Sequence, residues 1–100
     1  MRIISKKMLV EFWIKHPDAE KPLSSWYNIA RKAHWANVNQ VKDTLPYVSI
    51  LSNSRIVFNI KGNTYRLIVE ARFKVELLYI CWVGTHSEYD KIDANTVWED

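Results

Sequence analysis

The hydrophobic period of this chain changes once. Up to Pro46 the apolar residues recur at spacings of three and four, as along one face of a helix; from residue 54 they recur at every second position, as along one face of a strand. Helical pattern first and strand pattern afterwards predicts an α+β fold, with helices laid on one side of a small, mainly antiparallel sheet. At 100 residues the chain has room for one domain, taken as residues 1–93 with an acidic tail over 94–100, which excludes tandem-domain enzymes and cofactor folds of about 250 residues.

Arg2 to Ser5 reads as a short first strand. Ser5 then caps a helix to about His16, because Met8, Leu9, Phe12 and Trp13 share one stripe and Pro17 stops its continuation. A second helix begins either with Asp18 as cap or with Pro22 in its first turn, and its stripe of Leu23, Trp26, Tyr27, Ala30 and Ala33 extends to about Trp35. Asn39 caps one or two further turns, ending before Pro46. The two long helices are expected to be antiparallel.

In the second half, Ile56, Phe58 and Ile60 alternate with Arg55, Val57, Asn59 and Lys61. Gly62-Asn63 then supplies a two-residue turn whose central positions need positive φ. That turn sets a register with Lys61 opposite Thr64, Asn59 opposite Arg66 and Arg55 opposite Glu70. Val75 to Val83 is apolar on both faces and so belongs in the covered interior of the sheet, with Gly84 ending it. Thr85-His86-Ser87-Glu88 has the form of a capping box and opens a short helical turn from His86 to Ile92.

Charge is divided along the chain. Residues 1–87 hold 13 Lys and Arg against 6 Asp and Glu, a balance of +7, while residues 88–100 hold 1 against 5, a balance of −4. A basic body suits RNA, DNA or an acidic protein, with an ordinary solvated surface as the alternative. The longest near-apolar run, Leu77 to Gly84, is far short of the ~20 residues that span a bilayer, and the first seven residues have no signal-peptide core. A cytoplasmic location without a membrane partner is therefore expected. One cysteine, Cys81, three scattered histidines and two glycines leave no internal disulfide, no zinc-ligand spacing and no Gly-rich phosphate loop. Neither metal nor cofactor is expected.

Arg55, Asn59, Lys61 and Arg66 are predicted to share one sheet face, with the segment His86 to Lys91 leaving the neighbouring strand nearby. Cations beside a histidine suit phosphodiester cleavage, in which charge builds on phosphoryl oxygens and a proton moves near neutral pH. The competing reading makes Arg55 and Glu70 a cross-strand pair and Arg66 a solvated edge residue. His16 and His34, at helix ends, read as structural partners of the helix dipole. His86 stands apart, in a polar turn with Glu88, Tyr89 and Asp90. Tyr89 fits either a packed or a base-stacking role, and Trp98 docks either on the domain or on a partner.

Several stretches carry a family resemblance: Met1-Arg2-Ile3-Ile4-Ser5-Lys6-Lys7, His16-Pro17-Asp18-Ala19, the hairpin Val57 to Leu67, and Gly84-Thr85-His86-Ser87-Glu88-Tyr89-Asp90. Together they resemble the HigB toxins of the RelE/ParE superfamily of bacterial type II toxin-antitoxin systems. The resemblance implies a RelE-like fold, metal-independent mRNA cleavage on the ribosome, and a HigA-type helix-turn-helix antitoxin as partner. RelE-like enzymes place a basic residue after the strand that precedes the hairpin turn, an arginine just after that turn, and a basic or imidazole group after the last strand. Lys61, Arg66 and His86 occupy those places, while Asn59 stands where RelE has lysine and His86 where it has arginine. The implied catalytic set is His86, Arg66, Lys61 and Tyr89, with Arg55, Asn59 and Lys91 binding RNA. A non-catalytic, ParE-like toxin or nucleic-acid binder is the alternative, since it needs only the basic face.

Overall fold

The computed structural model of the protein describes residues 1–51 and 54–98. Its elements run β1 (Arg2–Ile4), α1 (Lys6–Lys15), α2 (Glu20–Lys32), α3 (Val38–Thr44), β2 (Val48–Ile50), β3 (Arg55–Ile60), β4 (Tyr65–Arg72), β5 (Leu77–Thr85) and α4 (His86–Tyr89). The strands form one sheet in the order β1-β5-β4-β3-β2. β1 is parallel to β5 and the other pairings are antiparallel, giving the α+β, mainly antiparallel architecture that the change of period predicts. No helix among the described residues is long and apolar enough to cross a membrane.

The hairpin register is as the turn spacing predicts, with Arg55 opposite Glu70 and Asn59 opposite Arg66. The turn itself differs. Positive φ falls on Lys61 (53°) and Gly62 (63°) and not on Asn63, and Thr64 N–H closes the turn on Lys61 O at 3.1 Å. The capping box at Thr85 forms in full, but α4 stops at Tyr89 instead of reaching Ile92. Other boundaries shift for local reasons. Pro17–Ala19 makes a 3₁₀ turn ahead of α2, which puts Pro22 in the helix's first turn, where its missing N–H costs little. Asn37, not Asn39, caps α3 by accepting from Gln40 N–H, while the Gln40 side chain accepts from Ala36 N–H. Ser5 occupies the cap position of α1 without a side-chain bond. A 3₁₀ turn at Phe73–Val75 delays β5 to Leu77, and the strand continues through Gly84 to Thr85. β2 is an additional edge strand of three residues, too short to carry a period.

Two apolar clusters hold the sheet between layers. On one face Ile56, Phe58, Leu67, Val69, Leu78 and Ile80 meet Leu9, Leu23, Trp26 and Val41 of the helices. On the other face Val57, Ile68, Cys81 and Trp82 are covered by Tyr89, Ile92, Ala94 and Val97 of the chain's last segment. Both sheet faces are thus covered over most of their area, and β5 from Leu77 to Val83 and β4 from Leu67 to Val69 are apolar on both faces for that reason. The amino terminus adds a further tie, since the Met1 ammonium donates to Arg31 O (3.1 Å) and Ala33 O (2.6 Å), where a cation meets the negative end of α2.

Arg55 fastens the last segment. Only 5% exposed, it faces Glu70 at 3.6 Å and donates to Ala94 O (3.0 Å) and Val97 O (2.5 Å), with the Trp98 ring 5.4 Å from its guanidinium. Trp98 therefore docks on the domain itself, against Arg55 and Tyr79. Arg55→Ala is expected to lower unfolding free energy by about 3 kcal/mol, the low end for breaking a buried pair because Arg72 still reaches Glu70 at 2.5 Å. Urea denaturation checks it. Gly84 is fixed by packing: an added Cβ would meet Cη2 and Cζ2 of Trp82 at 2.3 and 2.4 Å. Gly84→Ala should cost roughly 1–3 kcal/mol by overpacking in the same assay.

Candidate active site at the end of β4

The first residues of β4 lie between the hairpin turn and α4. Tyr65 pairs with Thr85 and Arg66 with Gly84, so the end of β5 returns to the start of β4. His86 N–H then donates to Thr64 O at 3.1 Å and anchors α4 to the turn. Neighbouring side chains on a strand face opposite ways, so Tyr65 joins the helix-side core while Arg66 faces the other layer.

On the helix side, Asp18 is the junction. It is carried by the 3₁₀ turn that Pro17 initiates, and it accepts from Lys61 Nζ at 2.5 Å on one oxygen and from the Tyr65 hydroxyl on the other. The Lys61 and Tyr65 hydrogen bonds hold the Asp18 carboxyl below the usual carboxylate range. Asp18 in turn, helped by burial, pushes the Tyr65 phenol up to about 12. The positive φ of Lys61 thus turns it toward the helices, away from the sheet face it was expected to share with Arg55, Asn59 and Arg66. His16 completes this side, its ring stacked on Phe12 (centroids 4.4 Å apart) and edge-on to Tyr65 (5.6 Å).

On the other side, Arg66 donates to Asn63 O at 3.1 Å and holds its guanidinium 5.8 Å from the Tyr89 ring. Tyr89 leans on Trp82 at 6.2 Å. Asn59 reaches Asn63 Oδ1 at 3.4 Å and so borders the same turn. The half-exposed His86 points Nε2 at Asp90, 3.6 Å away. Thr85 N–H donates to Glu88 Oε1 at 2.8 Å, and that backbone bond holds the Glu88 carboxyl below its usual range. Lys91 lines a cleft of about 470 Å³ together with His16, Trp82 and Glu88.

Residues 19–92 match the model of a family described as HigB_toxin, the RelE-like toxic component of a toxin-antitoxin system. The chain belongs to this family. It is 28% identical over 96 residues to the mRNA interferase toxin HigB of Escherichia coli strain K12, covering 94% of this chain and 92% of that protein. The mRNA interferase HigB of Shigella flexneri matches to the same extent, and that of Escherichia coli O6:H1 is 26% identical over 94 residues. As the toxic component of such a system, the protein has an antitoxin as partner.

Within this HigB-family fold, Arg66, His86 and Tyr89 lie at the start of β4, Lys61 lies across the strand on the helix side with Asp18, Asn59 borders the turn and Lys91 the cleft. Arg55 is not among them. It lies in the interior, its guanidinium taken up by Glu70 and two carbonyls of the last segment, so the structure gives it no RNA-facing surface. His34 stays at its helix end, bonded to Glu76 at 2.8 Å. Asp18 and His16 are the additions. His16-Pro17-Asp18 belongs to the stretches that carry the family resemblance, which is the one sequence signal for either residue.

The Asp18–Tyr65 bond has a measurable signature. Its raised phenol makes the neutral form the folded one, so the bond contributes stability fully below pH 10 and loses it as pH rises from 10 to about 12. Asp18 contributes with the opposite sense, present above the unfolded carboxyl value and lost as pH falls through its lowered one. In an ultraviolet tyrosinate titration, Asp18→Ala should move one tyrosine from about 12 toward 10.0. An unchanged titration curve would mean that the bond does not form in solution.

Proposed function

We propose that this toxin is an endoribonuclease that cleaves mRNA on translating ribosomes without a metal, and that a HigA-type helix-turn-helix antitoxin silences it. The observation that carries the reading is that the Arg66 guanidinium, over the half-buried Tyr89 ring, and the exposed His86, bonded through its backbone to Thr64, stand at the same end of β4. The names of the relatives, mRNA interferases, agree with it.

In the proposed step, the ribose 2′-OH attacks the adjacent phosphorus and the P–O5′ bond breaks. The products are a 2′,3′-cyclic phosphate and a 5′-hydroxyl end. The 2′-OH gives up its proton and O5′ gains one, and His86 carries one of these transfers. Arg66 and Lys61 stabilise the charge that builds on the non-bridging oxygens, with Lys61 aimed by Asp18. Tyr89 stacks on a base, and Asn59 and Lys91 contact the backbone on either side.

His86→Ala should cut the cleavage rate about 10²–10⁴-fold with the thermal midpoint unchanged. Arg66→Ala should lose cleavage at full folding, whereas Arg55→Ala should lose folding first. Cleavage of mRNA, free and on programmed ribosomes, reads both. Wild-type rates in His86→Ala and Arg66→Ala would remove the nuclease and leave a ParE-like binder. Cleavage of free RNA at the ribosomal rate would remove the ribosome.

A further inference from the structure

Of the three histidines, two face carboxylates: His34 Nδ1 is bonded to Glu76, and His86 Nε2 faces Asp90. His16 differs. Its ring is clamped by Phe12 on one face and Tyr65 at its edge, and among the described residues neither nitrogen makes a hydrogen bond, the Glu88 carboxylate lying near enough for a charge interaction but beyond ion-pair distance. An imidazole fixed by packing with its nitrogens unspent is arranged to meet something from outside.

What it borders is the 470 Å³ cleft between α1 and the β5–α4 corner, within the range of roughly 300–1,000 Å³ typical of ligand pockets. Lys15 and Lys91 stand on its two banks, and among the described residues neither has a carboxylate within ion-pair distance. The cleft also has two acids, Glu11 and Glu88, and Glu88 interacts by charge with both His16 and Lys91. Glu11 is 3.7 Å from Lys7, and Glu88 is bound into the capping box with Thr85. Asp18, two residues along from His16, is taken by Lys61 and Tyr65. Trp82, Met8 and Ile92 add an apolar floor. Cations without a close ion pair over an apolar floor suit a nucleotide, its phosphate on the cations and its base on the floor, the phosphate competing with Glu88 for Lys91.

We infer that this cleft is a nucleotide subsite for single-stranded RNA, and that His16 offers its ring nitrogens to the RNA there. The inference rests on the ribonuclease reading. It extends the RNA path from the start of β4 across α4 to α1, so that substrate is held on both sides of His86.

A labelled single-stranded RNA with 2′-O-methyl riboses has no 2′-OH to attack, so fluorescence anisotropy with the full-length toxin reads binding apart from chemistry. His16→Phe keeps the ring contacts and removes the nitrogens. It should weaken binding about tenfold with the thermal midpoint unchanged, the scale of one hydrogen bond to a charged group. His16→Gln, which restores a donor and an acceptor, should recover part of that loss. The Lys15→Gln/Lys91→Gln pair should lower the salt slope of log K by about 1.4, or ~0.7 for each phosphate contact on a single strand. Wild-type affinity and salt slope in these variants, or no binding by the wild type, overturn the subsite. Cleavage by His86→Ala is scored separately: a wild-type rate there sinks the ribonuclease reading whatever the anisotropy shows, and a dead His86→Ala with unaltered cleft variants sinks the cleft alone.

Discussion

β4 is the strand on which the other parts are positioned. It is paired with β3 from Tyr65 to Glu70 on one edge and with β5 from Tyr65 to Arg72, across one irregularity at Ile68 and Val69, on the other, and most of it is buried. Such a strand has no freedom to slip, because a one-residue shift would exchange the core residues Tyr65, Leu67 and Val69 for Arg66, Ile68 and Glu70. The site inherits that rigidity. Tyr65 and Arg66 are forced onto opposite faces, and a site that uses both neighbourhoods has to lie at the strand's end, where the turn and α4 wrap around it. Asp18 and His16 reach this end from the helix layer, and Tyr89 from the other layer.

What could be read from the residues alone is what short-range chemistry decides. The spacing around Gly62-Asn63 fixed which residues oppose each other from Arg55 to Glu70, and Thr85 to Glu88 declared a helix start by its own side-chain bonds. Conformation inside the turn was less legible, since positive φ settled on Lys61 and Gly62. The bond from Lys61 to Asp18 spans 43 residues and that from Tyr65 to Asp18 spans 47, and no local pattern encodes contacts that depend on how a helix layer sits on a sheet. For His16, the helix-end reading accounts for its backbone N–H, bonded to Phe12 O, and is silent on where the ring goes.

Arg55 and Arg66 show how context separates like residues. Both project on the sheet face away from the helices, and the register gives each an opposite number, Glu70 for Arg55 and Asn59 for Arg66. Glu70 is only 8% exposed and sits between Arg55 and Arg72, so its desolvated charge needs both cations. Among the described residues Arg66 meets the carbonyls of Asn63 and Tyr65 and the Tyr89 ring, none of which neutralises it. Its charge remains available to an anion. A cross-strand acid, then, decides which arginine belongs to the fold.

The acidic tail bears on this in an unexpected way. A basic body followed by acidic residues invites the idea that the tail docks by charge, yet its contacts with Arg55 are made by the carbonyls of Ala94 and Val97 and by the Trp98 ring. Val97 and Ala94 also cover the Val57, Ile68, Cys81 and Trp82 patch that the helices leave bare. The segment is therefore a layer of the fold, held by apolar burial and by a buried guanidinium satisfied through backbone oxygens, interactions that salt screens little. Because the tail consumes Arg55 and covers the Val57, Ile68, Cys81 and Trp82 patch, the cation left on this sheet face is drawn to the end of β4, where Arg66 stands. Arg66 thus keeps its charge on the sheet face from which the tail has removed Arg55, beside the Tyr89 ring.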